Sequence, residues 1–343
     1  MQKLLVATLL TAAATAPALA APGYKFTVLG DWSRIHDINN LGVGAGQGGE
    51  CCDYVAQTYS AAGIAAVPLP SSIVSSGAWG INDHGTIVGT AGTSTWEERA
   101  FVYANGTYRD LGGLAGDSST ARAVNNAGSV LVTYGKPNDL AFGSYVWSEA
   151  GGMVDLGSLG GNYTWGSALN ERGQVAGISS TEEGYGRVFR WTDGEMEDLG
   201  TFQSEFGYSV DGISEQGEVF GSRDEMHSSH AYIIRADGMV EDHSDLSRIS
   251  YIDAGGRIYG TDQAGWGVIV EDGVKTSIAA LTEGAAGWSF GTTAVNEAGQ
   301  ILATAHDGTD YRVVLLSPVP EPATYGMLLA GAAVLGWAGR RRR

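Results

Sequence analysis

The residues best suited to chemistry by type and spacing are two histidines. His227 and His230 have His-x-x-His spacing, and Asp224 and Glu225 stand just before them. Two imidazoles at that spacing can bind one metal ion, so the pair is a candidate site for a divalent cation. His230, however, opens an aromatic segment that recurs along the chain, and other copies of the segment begin with arginine. A structural role is therefore favoured over metal ligation, and no other cofactor is indicated.

The cysteines form a second candidate site. Cys51 and Cys52 are the only two in the chain, and they lie between Glu50 and Asp53. A disulfide between neighbours would be strained, because adjacent Cα atoms lie about 3.8 Å apart, below the usual range for bridged cysteines. A local brace or a free pair is favoured over a redox role. Residues 50–53 also depart from the repeat described below, and such departures often carry function, so they are a candidate ligand loop.

Acidic side chains recur at one position of a repeated turn, as Asp83, Glu171, Glu215 and Glu297. Recurrence favours a role in the turn over catalysis, since catalysis needs one site and not several equivalent ones. Neither a Gly-x-Ser-x-Gly elbow nor a His-Glu-x-x-His motif occurs. The sequence therefore predicts no catalytic residue.

Several aromatic residues could stack on sugars, although burial between repeats is the favoured role for them. They are Trp96, Tyr163, Trp165 and Trp288.

These residues sit in a repeat. Its phrase is a small residue, an aliphatic residue, Asn, two residues and Gly, followed by an apolar-x-Gly strand. The Asn, or a Ser or Asp in its place, falls at 39, 82, 125, 170, 214, 253 and 296, in steps of 43, 43, 45, 44, 39 and 43 residues. Asn is expected to cap its own turn two residues on, and Gly to take a positive φ.

Each unit contains four predicted strands. The turn lies between the first two, an aromatic segment such as Ala100–Tyr103 forms the third, and an Asp-Leu-Gly segment such as Asp110–Gly112 forms the fourth. Four strands at this period predict an all-β protein, a seven-bladed β-propeller. An open or solenoidal β array is the alternative. The last unit lacks its fourth strand, so we expect Phe26–Leu29 to supply it and close the ring.

The repeat phrases resemble the HAF repeat, named for a His-Ala-Phe strand followed by Asp-Leu-Gly. His230-Ala231-Tyr232 is the best match, and the resemblance extends over about residues 80–300. The family implies a location outside the cell. It brings no activity and no catalytic residues.

The N-terminus has the parts of a secretory signal peptide, namely Lys3, an apolar run and an Ala-x-Ala end. We predict that residues 1–21 are this signal, that residues 22–317 are the repeat domain and that residues 318–343 are a tail. A buried N-terminal helix is the alternative for the first segment.

The tail combines a proline-rich motif, an apolar stretch and an arginine cluster. Residues 323–338 would span about 24 Å as a helix, a slightly short membrane crossing, and the arginines would stay on the cytoplasmic side. The order of these parts resembles the PEP-CTERM sorting signal, which implies recognition by an exosortase in a Gram-negative bacterium. A plain membrane anchor is the alternative. The residues of the motif are Val319, Pro320, Glu321, Pro322, Arg340, Arg341, Arg342 and Arg343.

Charge limits the partners of the domain. The chain has 38 acidic and 20 basic residues and a net charge of −18, which argues against nucleic acid. We expect a monomeric, exported propeller that the tail holds transiently in the inner membrane, on its periplasmic side, before it reaches the cell surface or extracellular matrix. The predicted role is non-enzymatic binding or structure, associated with exopolysaccharide or the envelope. A hydrolase or lyase acting on envelope polysaccharide is the alternative.

Overall fold

The computed structural model describes residues 23–31, 33–49, 53–94, 97–112, 118–135, 142–200, 207–226 and 228–319. Tyr24–Pro318 forms one compact unit. Residues 1–23 and 319–343 are grouped as a second unit, of which only Gly23 and Val319 are described. The Val319 N–H donates to the Gly23 carbonyl at 2.7 Å. The predicted signal peptide, the apolar stretch and the arginine cluster lie outside the described residues.

The first strand, β1, spans Tyr24–Asp31. The strands after it form antiparallel sheets of four in chain order, the blades. Blade 1 is β2 (Arg34–Ile38), β3 (Gly44–Gly48), β4 (Val55–Ser60) and β5 (Gly63–Ala66). Blade 2 is β6 (Ile73–Ile81), β7 (Ile87–Thr93), β8 (Glu98–Ala104) and β9 (Thr107–Asp110). Blade 3 is β10 (Ser119–Val124), β11 (Val130–Gly135), β12 (Phe142–Ser148) and β13 (Gly152–Asp155). Blade 4 is β14 (Gly160–Leu169), β15 (Val175–Thr181), β16 (Gly186–Thr192) and β17 (Glu195–Gly200).

The remaining blades follow the same order with one insertion. Blade 5 is β18 (Tyr208–Ile213), β19 (Val219–Asp224), β20 (Ser229–Ile234) and β21 (Val240–His243). Blade 6 is β22 (Leu246–Ile252), β23 (Ile258–Asp262), β24 (Gly267–Glu271) and β25 (Val274–Ser277). A short helix α1 (Ile278–Leu281) and the two-residue strand β26 (Thr282–Glu283) come next. Blade 7 contains β27 (Ser289–Val295), β28 (Ile301–His306) and β29 (Tyr311–Pro318).

The described strands therefore form seven sheets, and the predicted seven-bladed propeller is confirmed. Among the described residues, no helix is long and apolar enough to cross a membrane.

The hydrophobic core lies between neighbouring blades. Phe101, from the third strand of blade 2, is fully buried and shares a cluster with Ala45 and Ala56 of blade 1. Gly89 makes room for this contact, because a Cβ there would lie 1.9 Å from the Gly77 carbonyl oxygen and 2.8 Å from the Phe101 ring. The aromatic segment and the apolar-x-Gly strand therefore act as a matched pair.

The ring closes where the sequence predicts it. Strand β1 pairs antiparallel with β29, from Tyr24 opposite Pro318 to Asp31 opposite Arg312, with one bulge. It is the fourth strand of blade 7, and β26 adds a short parallel pairing at its outer side. The inward side chain of Tyr24 is fully buried, and Phe26 packs edge-on against Phe290. The closing strand therefore contributes to the core as well as to the hydrogen bonding of the sheet.

We predict that deletion of residues 22–31 abolishes cooperative unfolding of the domain, because it exposes the edge of β29 and removes Tyr24 from the core. Urea denaturation followed by tryptophan fluorescence measures this. As a control, Asp31→Asn removes only an exposed ion pair with Arg312 and should change the free energy of unfolding by less than about 1 kcal/mol. A deletion variant that unfolds at the wild-type midpoint would contradict the closure.

Candidate binding site in the central channel

The repeated turn follows the first strand of every blade. In the turn after β6, the Asn82 side-chain oxygen accepts the backbone N–H groups of His84 and Thr86, at 3.1 and 2.9 Å. Gly85 closes the turn with a φ of 75°. The predicted self-capping of the turn is confirmed, and Asn39, Asn125, Asn170 and Asn296 repeat it.

The amide nitrogen of the same asparagine has a second role that the repeat phrase does not reveal. It donates to the backbone carbonyl of the equivalent residue in the next blade, and each of these asparagines is buried. The bonds run from Asn296 to Asn39 (2.7 Å), Asn39 to Asn82 (3.0 Å), Asn82 to Asn125 (3.0 Å), Asn125 to Asn170 (3.2 Å) and Asn170 to Ser214 (2.9 Å). We call this set the asparagine ring.

The recurring acidic residues form a parallel set of bonds, one position later in each turn. Asp83 accepts the Asn40 N–H at 2.7 Å, and Glu171 accepts the Asn126 N–H at 2.8 Å. Glu215 in turn accepts the Glu171 N–H at 2.9 Å. These carboxylates join neighbouring blades, which agrees with the structural role that their recurrence predicts.

Their electrostatics differ from blade to blade. Burial opposes ionisation of Asp83, but hydrogen bonds from Asn40 and Asn126 outweigh it and lower the pKa of that carboxyl. Burial raises the pKa of Glu171, and the charges of Glu215, Glu297 and Asp83 add to the shift. This end of the channel is therefore acidic.

Further along the channel, a β-bulge interrupts the first strand of every blade at one equivalent position, three residues before the turn residue. The pairing with the second strand skips this residue, and its side chain lines a central cavity of about 310 Å³. The residues at the bulges are His36, Trp79, Arg122, Ser167, Asp211, Ser250 and Thr293. We call them the bulge residues.

One side of the cavity is aromatic and basic. The His36 and Trp79 rings lie 4.1 Å apart between centroids, and the Trp79 indole N–H donates to Thr90 at 3.0 Å. Burial lowers the pKa of His36 to about 4, helped by the charge of Arg34. Nε2 of His36 is buried and has no hydrogen-bond partner among the described residues. The imidazole is therefore neutral at neutral pH.

Arg122 stands next to this pair, with its guanidinium 4.1 Å from the centre of the Trp165 ring. Burial lowers the pKa of Arg122. Tyr163, which contacts Phe142, has the opposite effect, because its nearby phenol raises the pKa of Arg122. Nε of Arg122 is buried and has no hydrogen-bond partner among the described residues. Trp165 also packs against Phe142 in a T-shaped contact, with 5.1 Å between ring centroids.

The opposite side carries hydroxyls and one ion pair. Ser167, Ser250 and Thr293 supply the hydroxyls. Asp211 lies 3.6 Å from Arg248 and accepts a hydrogen bond from Ser209 at 3.1 Å. Burial nevertheless raises the pKa of Asp211.

The position directly after the bulge residue is Gly or Ala in five of the seven copies of the repeat. The two exceptions are Asp37 and Tyr251. Asp37 accepts backbone N–H groups from Ile38 at 2.8 Å and from Ile81 of the next blade at 2.9 Å. Burial raises the pKa of Asp37 despite these bonds. Burial and the nearby charge of Glu297 raise the pKa of Tyr251.

The site residues predicted from sequence lie elsewhere. Glu50, Cys51, Cys52 and His227 fall outside the described residues, and Asp53 is exposed. His230 lies on β20, with Nδ1 3.6 Å from a Glu225 oxygen and Nε2 3.2 Å from the Ser228 hydroxyl. The described residues contain no group of three or more His, Cys, Asp or Glu side chains placed to hold a metal ion.

The aromatic residues that could stack on sugars lie in different environments. Trp96 lies outside the described residues. Trp288 packs on Phe26, 5.2 Å between ring centroids, and belongs to the core of blade 7. Trp165 and Tyr163 are half-buried on the first strand of blade 4, and Trp165 contacts the channel residue Arg122.

Sequence reasoning missed the bulge residues. The signal that could have found them is the alignment of the seven copies on their turn residue. Three positions upstream, between aliphatic and small residues, that alignment has a column that changes from His to Trp, Arg, Ser, Asp and Thr. Variation at one position of an otherwise uniform phrase marks a place where the fold leaves side-chain chemistry free.

Comparison with known proteins gives the fold and the sorting signal. A family model described as the PEP-CTERM protein-sorting motif matches residues 318–343. No curated protein matches the chain in sequence. A solved structure of YCF48 bound to D1 peptide is similar at a TM-score of 0.55 and 12% identity, over 89% of this chain and 99% of that one. The structure of a virginiamycin B lyase from Staphylococcus aureus with quinupristin is similar at a TM-score of 0.55 and 10% identity, over 86% of this chain and 100% of that one.

A third similar structure is the β-propeller domain of the Trilobed protease from Pyrococcus furiosus, described as having an open velcro topology. Its TM-score is 0.55 and its identity 12%, over 84% of this chain and 96% of that one. In contrast to that description, β1 of this chain pairs with β29 in the last blade. At these identities the likeness shows the fold alone.

Fold and motif together define the class. The chain is a seven-bladed β-propeller that carries a PEP-CTERM sorting motif. That motif is a substrate signal for exosortase-type processing and implies an exported surface protein with membrane-anchored sorting.

We predict that Asn82→Asp lowers the free energy of unfolding by about 1–3 kcal/mol, because it keeps the capping oxygen but replaces the buried amide donor with a carboxylate oxygen that faces the Asn125 carbonyl oxygen and has no donor there. Urea denaturation measures this. Asn105→Asp is the matched control, since Asp193 and Asp272 adopt the same turn conformation as Asn105, with φ values of 50°, 49° and 51°. Equal effects of the two changes would show that the asparagine ring does not stabilise the fold.

A second prediction concerns the stability of the fold at acidic pH. Burial gives His36 a pKa of about 4 in the folded state, below the value of 6.5 in the unfolded chain. The stability contribution of this neutral imidazole is therefore complete above pH 6.5 and is lost as the pH falls towards about 4. His36→Gln should therefore lose less stability than the wild type across that interval, by about 1–2 kcal/mol after allowance for partial exposure. Urea titrations at stepped pH measure it. His84→Gln, at an exposed turn histidine, should follow the wild-type curve, and a parallel curve for His36→Gln would contradict the assignment.

Proposed function

We propose that this protein is a non-enzymatic binding protein of the cell surface, and that its central channel holds a saccharide end of the exopolysaccharide or envelope. The bulge residues are the observation that carries the proposal. Their backbone position is the same in seven blades, but the side chains there differ. A uniform frame with unlike side chains gives one asymmetric site, as a single ligand requires.

The chemistry of the bulge residues favours a sugar. Trp79 offers an aromatic surface of the kind that packs against the apolar face of a sugar ring. Ser167, Ser250 and Thr293 offer hydroxyls that can both donate and accept hydrogen bonds, which suits a ligand covered with hydroxyl groups. Protein–nucleic acid binding has no comparable support, because the acidic end of the channel repels phosphates.

The route to the surface is part of the same proposal. Residues 1–21 direct export and are removed, residues 22–317 are the binding domain, and residues 323–338 hold the chain in the inner membrane until an exosortase acts at the sorting motif. The match at residues 318–343 supports the last step. The HAF-repeat kinship of the blades, the monomeric state and the ligand loop at residues 50–53 stay predictions.

One observation favours the alternative, a hydrolase or lyase acting on envelope polysaccharide. Burial raises the pKa values of three carboxyl groups that line the channel, Asp37, Glu171 and Asp211, and carboxyl groups with raised pKa values can act as general acids. His36 lies in the same cavity, and its neutral imidazole can accept a proton. Catalysis needs such groups on opposite sides of one bond, whereas Asp37 already accepts two backbone N–H groups.

A glycan array probed with the full chain in detergent tests the proposal. We expect binding to a subset of bacterial polysaccharide fragments, and we expect Trp79→Ala to reduce the affinity at least about tenfold by removing the aromatic surface. Trp266→Ala, which removes an exposed tryptophan outside the channel, is the matched control and should bind like the wild type. Thermal unfolding of both variants checks that they fold.

A parallel assay for newly formed reducing ends and unsaturated sugars separates binding from catalysis. We expect no turnover of the bound glycans. Turnover that disappears in Asp37→Asn or Asp211→Asn would refute the non-enzymatic role and establish the alternative. Binding unaffected by Trp79→Ala would place the ligand outside the channel.

A further inference from the structure

Arg122 is the bulge residue that the structure leaves with an unmet electrostatic requirement. It is half-buried, its Nε is buried, and among the described residues that atom has no hydrogen-bond partner. No described carboxylate forms an ion pair with it, whereas Arg248 of the same channel is paired with Asp211. Removing a guanidinium from water without a counter-charge is costly, so such a group gains free energy when an anion reaches it.

The stacking on Trp165 fixes how Arg122 can meet an anion. The guanidinium lies over the Trp165 ring, with Cζ 4.1 Å from the ring centre, so this contact occupies one side of the group. Nε is buried, so the edge formed by Nη1 and Nη2 remains to donate to a ligand. That edge is the fork which binds the two oxygens of a carboxylate in parallel.

The surrounding charges set the charge of the anion. Asp37 and Asp211 line the same cavity, and the acidic end of the channel lies beyond them. A single unpaired guanidinium among carboxylates balances one negative charge, so a monoanion such as a carboxylate fits better than a dianionic phosphate monoester.

The size of the cavity limits what carries that carboxylate. Its volume of about 310 Å³ is at the lower end of known ligand pockets, which range over ~300–1,000 Å³. It therefore has room for a terminal sugar unit rather than for an internal stretch of a chain. Trp79 and the hydroxyls of Ser250 and Thr293 remain for the sugar ring and its hydroxyl groups.

We propose that the channel is specific for a saccharide end that bears a carboxylate, a uronic acid or a sugar with an acidic substituent, and that Arg122 binds this carboxylate through two hydrogen bonds. This inference rests on the proposed saccharide-binding function and names the class of ligand. It distinguishes Arg122 from the other bulge residues as the residue that sets specificity.

The test uses an array of acidic oligosaccharides, each printed beside a twin whose carboxylates have been reduced to alcohols. We expect the full chain to bind acidic members and to lose about 10- to 100-fold in affinity for their reduced twins, the usual effect of a charged hydrogen-bond pair. Arg122→Gln should lower the affinity for the acidic member by about the same factor and should change the affinity for the reduced twin little. Arg122→Lys, which keeps the charge but not the fork, should retain part of the preference.

Arg109→Gln is the matched control, because Arg109 also lies over a tryptophan, Trp147 at 5.4 Å, but outside the channel. It should bind like the wild type. Equal binding of acidic and reduced sugars, or an Arg122→Gln variant that keeps the preference, would overturn this inference and leave the saccharide-binding function standing. Absence of binding to every glycan of the array would overturn both.

Discussion

The architecture depends on one hydrogen bond, the donation from a buried asparagine amide to the backbone carbonyl of the next blade. Each blade is a sheet that could be complete by itself, and the hydrophobic core between blades is non-directional. The asparagine ring adds direction, because one side chain caps its own turn through Oδ1 and fixes the neighbouring turn through Nδ2. A buried amide donor left without its acceptor would cost about 1–3 kcal/mol, so each link holds two blades in one register.

Blade 6 shows what happens without the amide. The equivalent residues there and in blade 5 are Asp253 and Ser214, and neither side chain can donate from an amide. Other contacts join these blades: Arg248 pairs with Asp211 of blade 5, and the Thr292 hydroxyl of blade 7 donates to the Gly260 carbonyl at 3.0 Å. The ring therefore tolerates substitution of individual links, provided that another polar contact spans the same interface.

A fixed frame of this kind leaves other positions free to vary. The bulge removes one residue per blade from strand pairing and points its side chain into the channel, so the pairing of the strands does not depend on that side chain. Side chains as different as those of Trp79, Arg122 and Asp211 therefore occupy equivalent backbone positions. This separation of scaffold and site explains why a chain with such regular spacing can still present a single asymmetric cavity.

The sequence by itself determined the number of blades, the self-capped turns, the aromatic third strands and the closure by the N-terminal strand, because all of these follow from local periodicity and from a missing element in the last unit. It also determined the sorting motif, which is read as a linear signal. Only the tertiary structure decided which residues share the channel. His36, Trp79 and Arg122 are 43 residues apart in successive steps, and none forms a local motif. They meet because the ring brings seven equivalent positions to one axis, and that convergence depends on inter-blade bonds which a single repeat cannot show.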